Sequence, residues 1–99
     1  MDIEIDELII EEDRPSHIAK HKVTVNEVAE VMKGDYVFIR GKHNRWVLIG
    51  LTKKGKMLAI VIGAREKKNT YGLVTARPAH RKEQHFYYEL KQTQGGDRA

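Results

Sequence analysis

The chain has 99 residues, is 40% hydrophobic and 32% charged, carries a formal net charge of +4 and contains no cysteine. That length implies one domain with a thin core. The missing cysteines exclude a disulfide framework and a thiolate metal site, and no apolar run is long enough to span a bilayer.

The first thirteen residues hold seven acids (Asp2, Glu4, Asp6, Glu7, Glu11, Glu12, Asp13) and no base. A secretory signal would be basic here, so the expected location is the cytoplasm. Met1–Ile10 alternates enough to form an edge strand, and the acidic arm can shield the body, bind a partner or stay solvated. Everything after it holds all 18 Lys and Arg against seven acids, a net of +11. A body this basic attracts polyanions, although a lysine-coated soluble surface has the same composition.

Pro15 suits the first turn of a short helix reaching about His21. A second helix is better marked. Thr24 and Glu27 form a capping box, Val23 and Val28 are placed as a hydrophobic staple, and Val25, Val28, Ala29 and Met32 make one apolar stripe. Gly34 closes it. From Asp35 the period changes, and Tyr36–Arg40, Arg45–Leu51, Met57–Ile62 and Thr70–Arg77 read as strands. The links 41–44 and 52–56 have hairpin length, which makes neighbours antiparallel. Met57–Ile62 is apolar throughout, so it belongs at the centre, covered on both faces. Ala79–Lys91 is a helix, and 92–99 reads as a frayed tail. The result is an α+β fold: two short N-terminal helices, a meander of about four antiparallel strands, and a C-terminal helix packed on the sheet, in one domain over 1–91.

Thr75–Tyr87 is the densest stretch of polar chemistry. On the last helix Ala79, Glu83, Phe86, Tyr87 and Leu90 share a stripe that faces the sheet. A carboxylate there requires a partner, and Arg77 or Arg65 can supply a bidentate one. Glu83 is then either a structural clamp or a catalytic carboxylate. Strict alternation puts Arg77 on the face of Tyr71, Leu73 and Thr75. Arg65 and Arg77, at adjacent strand ends, would clamp a phosphodiester.

Five histidines are available. His17 and His21 lie four apart, but a third metal ligand is not evident. His43 belongs to a turn and His85 to the outer face of its helix. His21, at the junction of the first two helices, and His80, at the start of the last, can serve as general acid or base or simply fill polar junctions. Trp46, Tyr36 and Tyr71 suit base stacking or, more commonly on strands, the core. Lys53, Lys54 and Lys56 form a basic hairpin tip. P-loop, dinucleotide-binding and nucleophile-elbow motifs are absent.

Several short motifs in one order carry a resemblance. They are Lys20-His21-Lys22-Val23, Glu27-Val28-Ala29, Arg45-Trp46-Val47-Leu48-Ile49-Gly50, and the apolar Met57–Ile62 followed by Arg65. The last is Thr75-Ala76-Arg77-Pro78-Ala79 with Lys82, Glu83 and Tyr87. Over residues 17–90 the chain resembles the BrnT family of bacterial ribonuclease toxins, which have a RelE-like fold. Lys22 stands where the family has glycine, the family's aromatic-Asp start is absent, and Arg65 precedes Glu66 where the family pair runs Glu-Arg. The resemblance implies RNA as substrate, cleavage without metal or cofactor, a separate antitoxin that masks the toxin, and operator DNA bound through the complex. In that scheme the ribose 2′-hydroxyl attacks the adjacent phosphate. His21 or Glu83 accepts its proton, Arg65 and Arg77 stabilise the phosphorane, and His80 or Tyr87 protonates the leaving oxygen. Lys20, Arg45, Lys53, Lys54, Lys56 and Arg81 are the expected RNA contacts. The alternatives are a non-catalytic RNA- or DNA-binding module and a protein-interaction domain on the same fold.

Overall fold

Residues 3–95 are described by the computed structural model, and Met1, Asp2 and residues 96–99 lie outside the described part. The elements are β1 (Glu7–Ile9), α1 (Arg14–Ala19), α2 (Val25–Lys33), β2 (Val37–Arg40), β3 (Arg45–Leu51), β4 (Met57–Ala64), β5 (Thr70–Pro78) and α3 (Arg81–Leu90), continued by a π-helical turn over Lys91–Gly95. The sheet order is β1-β5-β4-β3-β2.

The four expected strands form the antiparallel meander, with β4 at its centre. Local turn chemistry dictates this. His43 and Asn44 both have positive φ, and the Arg45 N–H donates to the Lys42 carbonyl at 3.2 Å. That is the type I′ geometry whose twist matches a hairpin. Between β3 and β4, Gly55 takes φ +86° and its N–H returns to the Thr52 carbonyl. The expectation of four strands needs a correction: β1 adds a fifth, parallel to β5. It is the edge strand expected within Met1–Ile10, formed only over Glu7–Ile9. Asp6 and Glu7 anchor it by donating their N–H groups to the Asn69 carbonyl.

The sheet separates two apolar layers. One face, with Leu48, Leu58, Ile60, Ile62, Leu73 and Ala76, packs under Ile18 of α1 and Val28 and Val31 of α2. The other, with Val37 and Ile49, is covered by Tyr87, Phe86 and Leu90 of α3. Gly50 sits where α2 crosses β3 most closely. A Cβ there would lie 2.8 Å from Val31 Cγ1 and 3.2 Å from Tyr36 Cβ, so only glycine permits this packing. Tyr36 is buried, and Trp46 and Tyr71 pack against the first layer, which makes all three core residues.

The start of α2 follows the sequence, whereas Gly34 ends the helix with extended backbone (φ −95°) and not with the left-handed cap expected of it. The Glu27 N–H donates to Thr24 Oγ1 at 3.1 Å, and Glu27 Oε1 accepts from the Thr24 N–H at 3.0 Å. Those bonds hold the Glu27 carboxyl below its ordinary value, chiefly through the Thr24 backbone. At the other extreme, the expected tail from residue 92 begins as a docked turn. Gln94 Oε1 accepts from the Phe38 N–H at 2.8 Å and its Nε2 donates to the Phe38 carbonyl at 3.2 Å. One side-chain amide thus occupies an edge position of β2 as a neighbouring strand would.

The junction between α1 and α2 is a Schellman motif. The Val23 N–H reaches the Ile18 carbonyl at 3.2 Å and the Lys22 N–H reaches Ala19 at 2.9 Å. Lys22 is the left-handed residue, with φ +62°. Ile18 and Val23, the two apolar residues such a motif pairs, are both buried. A left-handed L-residue costs ~1–2 kcal/mol, part of which glycine's larger entropy loss offsets. Lys22→Gly should therefore stabilise the fold by about 1 kcal/mol and raise the melting temperature by roughly 4–8 °C. Calorimetry showing an equal or lower melting temperature would contradict the strain.

Candidate active site

A β-bulge decides which side chains meet. Val61 pairs with Thr75 but Ile62 pairs with Leu73, so Val74 is an extra residue in β5. The extra residue inverts the alternation. Leu73 and Ala76 join the core under α1 and α2. Arg77, opposite Ala59, whose own partner Ile49 lies under α3, faces that helix instead. The expectation that Arg77 shares a face with Leu73 and Tyr71 fails for this reason.

On that face Arg77 meets Glu83. Nη1 donates to Oε1 at 2.7 Å and Nη2 to Oε2 at 2.8 Å, a planar fork. The same Oε1 accepts the His80 N–H at 2.8 Å, so Glu83 also satisfies a donor at the start of α3. Burial pushes the Glu83 carboxyl up, but the bonds from Arg77 and His80 outweigh it and hold it below its ordinary value. The same bond raises the Arg77 guanidinium. Glu83 is thus an ionised clamp whose oxygens are engaged three times. The Arg77 side chain remains 26% exposed, and the fork uses two of its five N–H donors.

β1 pairs with β5 only as far as Gly72. Beyond it, α1 closes the strand edge. Arg14 Nη1 donates to the Val74 carbonyl at 2.7 Å, and His17 Nε2 lies 3.1 Å from Thr75 Oγ1. The His21 ring stands edge-on to His17, with centroids 5.8 Å apart. His21, Lys20 and Lys22 are exposed at the helix end. Lys56 Nζ reaches back to the Lys22 carbonyl at 2.5 Å and to Glu27 at 3.5 Å, joining the β3–β4 turn to this corner.

One pole of the sheet therefore gathers His21, Lys20, Lys53, Lys54, Lys56, Arg77, His80 and Arg81. Arg65 and Arg45 lie at the other pole. Arg65 follows Ala64, which pairs with Tyr71, and Arg45 pairs with Gly63, whereas Arg77 pairs with Ala59. Six residues of extended chain separate the two arginines along β4, about 20 Å. The expected joint clamp on one phosphodiester is ruled out because β4 and β5 are antiparallel. Arg65 serves the acidic arm. It donates to Glu11 Oε1 at 2.8 Å, and its guanidinium lies flat over Gly72, where any Cβ would overlap it. Glu7–Lys67 and the bonds from Asn69 to Glu4 and Asp6 continue that contact. The arm shields this pole.

Tyr87 is 2% exposed, in the core with Val37 and Ile49. Burial removes it from any leaving group. His85 pairs with Glu89 on the outer face, and His43 is in its turn. Among the described residues no three His, Asp or Glu side chains converge as metal ligands, and no helix is long and apolar enough to cross a membrane. His17 and Thr75 are the pair that the sequence reading missed. Local spacing relates His17 only to His21, and its bond to Thr75 spans 58 residues.

A family model described as the ribonuclease toxin BrnT of a type II toxin–antitoxin system matches residues 11–83. Among solved structures, the fold is similar to a crystal structure of the ribonuclease toxin BrnT of Brucella abortus. The two share 18% sequence identity and a TM-score of 0.59, over 76% of this chain and 97% of that one. A search of curated proteins gives no match.

The clamp has a pH signature. A carboxyl whose folded value is depressed contributes stability above its ordinary value of 4.5 and loses it as pH falls through the lower folded value. Glu83→Gln should cost about 1–2 kcal/mol at pH 7. Urea melts of both proteins should show that gap shrinking at pH 3, and an unchanged gap would refute the ionised clamp.

Proposed function

The chain belongs to the BrnT family of ribonuclease toxins of type II toxin–antitoxin systems, and from that premise we propose that it cleaves RNA without a metal at the pole centred on Arg77. The observation that carries the reading is the Arg77–Glu83 fork. It fixes a guanidinium at the end of a strand with donors to spare, among exposed Lys20, Lys53, Lys54 and Arg81. An oriented guanidinium can pair with a phosphate and stabilise the charge that grows on it in the transition state.

The ribose 2′-hydroxyl attacks the adjacent phosphorus, and the bond to the 5′-oxygen breaks. The products are a 2′,3′-cyclic phosphate and a 5′-hydroxyl. Exposed His21, just past the end of α1, and His80, at the start of α3, belong to the same pole as Arg77 and are side chains of the type suited to proton transfer. Glu83 holds Arg77 and takes no proton, because its oxygens are already engaged. Arg65, Arg45 and Tyr87 take no part in the chemistry. The basic pole draws the RNA backbone, and Lys56 supports the corner more than it contacts phosphate. A cognate antitoxin in the cytoplasm masks this pole, and the complex binds operator DNA through the antitoxin.

Purified protein in chelator should cut single-stranded RNA to fragments ending in cyclic phosphate. Arg77→Ala should lower kcat/KM by about 10²–10³-fold while keeping its fold by circular dichroism. Salt-sensitive binding without scission would make the chain a non-catalytic RNA-binding module instead. Equal cleavage by Arg77→Ala would remove the site from this pole.

A further inference from the structure

Cleavage by the 2′-hydroxyl requires a proton acceptor beside the phosphate site. The two acceptors named by motif are badly placed for it. Glu83 spends its oxygens on Arg77 and His80, and it is His17, with the exposed His21 ring edge-on against it, that holds the Thr75 hydroxyl. We infer that the Thr75 hydroxyl and His17 form a relay that takes the 2′-hydroxyl proton, with His17 as its terminal base.

Three observations converge on it. Thr75 and Arg77 lie two residues apart on one face of β5, opposite Val61 and Ala59, so their side chains emerge about 7 Å apart. A phosphate on Arg77 would bring its neighbouring ribose to Thr75. His17 Nε2 is 3.1 Å from Thr75 Oγ1, within the range of a hydroxyl–imidazole pair in which the imidazole activates the hydroxyl. The bulge at Val74 and the end of β1 at Gly72 together leave this stretch of β5 to α1, which delivers the imidazole. The charged and titratable neighbours of His17 are Asp13, Arg14, Lys20 and His21 on or next to its own helix. On β5 it is Arg77.

The step balances. The 2′-oxygen bonds to phosphorus as its proton passes to Thr75 Oγ1, and the Thr75 proton passes to His17 Nε2. The 5′-oxygen leaves with a proton from an exposed imidazolium, His21 or His80. His17 then returns its proton to water. His17 is a positioning and proton-storing residue acting through Thr75, which touches the substrate.

The inference rests on the ribonuclease reading, and a set of single-turnover assays keeps the two apart. His17→Gln preserves the hydrogen bond to Thr75 but cannot take a proton at neutral pH. It should lower kcat about 10–100-fold with KM and melting temperature unchanged, and flatten the rise of kcat across the imidazole range. Thr75→Val should lose as much, Thr75→Ser should restore most of that loss, and the double variant should be no worse than either single change. Wild-type kcat and pH profile in His17→Gln would reduce the pair to a pin between α1 and β5. A kcat loss that follows a fall in melting temperature, or losses that multiply in the double variant, would overturn the relay as well. Wild-type protein that cuts no RNA, or Arg77→Ala that cuts normally, would instead refute the ribonuclease reading at this pole.

Discussion

Val74 is one residue more than the ladder between β4 and β5 can pair, and the geometry of the basic pole follows from it. Without the bulge, Thr75 and Arg77 would continue the face of Leu73 and point into the layer that holds Ile60 and Ile62. A guanidinium there would be buried without a partner, at a cost of several kcal/mol. With it, Ala76 fills the core position and Arg77 turns to α3, where Glu83 is waiting at helical spacing from Phe86 and Tyr87. The bulge thus lets β5 send Leu73 and Ala76 into the core under α1 and α2 while Thr75 and Arg77 take the opposite face. It also lies where β1 has ended, so the disturbed edge is available to α1 and its histidine.

Electrostatics divide the molecule along the same axis. The acidic arm folds back on the β4–β5 end, where Glu11 neutralises Arg65 and Glu7 approaches Lys67. These pairs are exposed, so each adds little stability. Their effect is on the field. A polyanion finds one end of the sheet offset by carboxylates and the other end still basic. Glu83 does not cancel Arg77 in the same way, because a bidentate carboxylate fixes the plane of the guanidinium while leaving its remaining donors free.

Much of the fold was legible from short-range chemistry. The capping box at Thr24 and Glu27, both hairpins, the all-apolar β4 and the inward stripe of α3 each have a local cause, and each is found as expected. The Arg77–Glu83 pair was legible as one of two alternatives, since a carboxylate on an apolar stripe demands a cation. What escaped depends on contacts distant in sequence. An edge strand within Met1–Ile10 was legible, but its restriction to Glu7–Ile9 and its parallel pairing with β5 depend on Asn69. The bulge leaves no signal in a run of residues that all suit a strand. Arg65 looked like the partner of Arg77 because strand ends were counted without assigning them to opposite poles, and Tyr87 looked available because a tyrosine's place on a stripe does not reveal its depth.

The corner at Lys22 shows how one departure from a family pattern is carried. Glycine would take the left-handed turn without strain; lysine does not. The strain is held by its surroundings: Ile18 and Val23 pack across the turn, and Lys56 donates to the Lys22 carbonyl while pairing with Glu27. Glu27 in turn caps α2. The α1 terminus, the β3–β4 turn and the start of α2 are therefore one network, and it fixes the helix end that carries Lys20 and His21. A lysine side chain at this turn adds a cation to the basic pole at an energetic cost that the network absorbs.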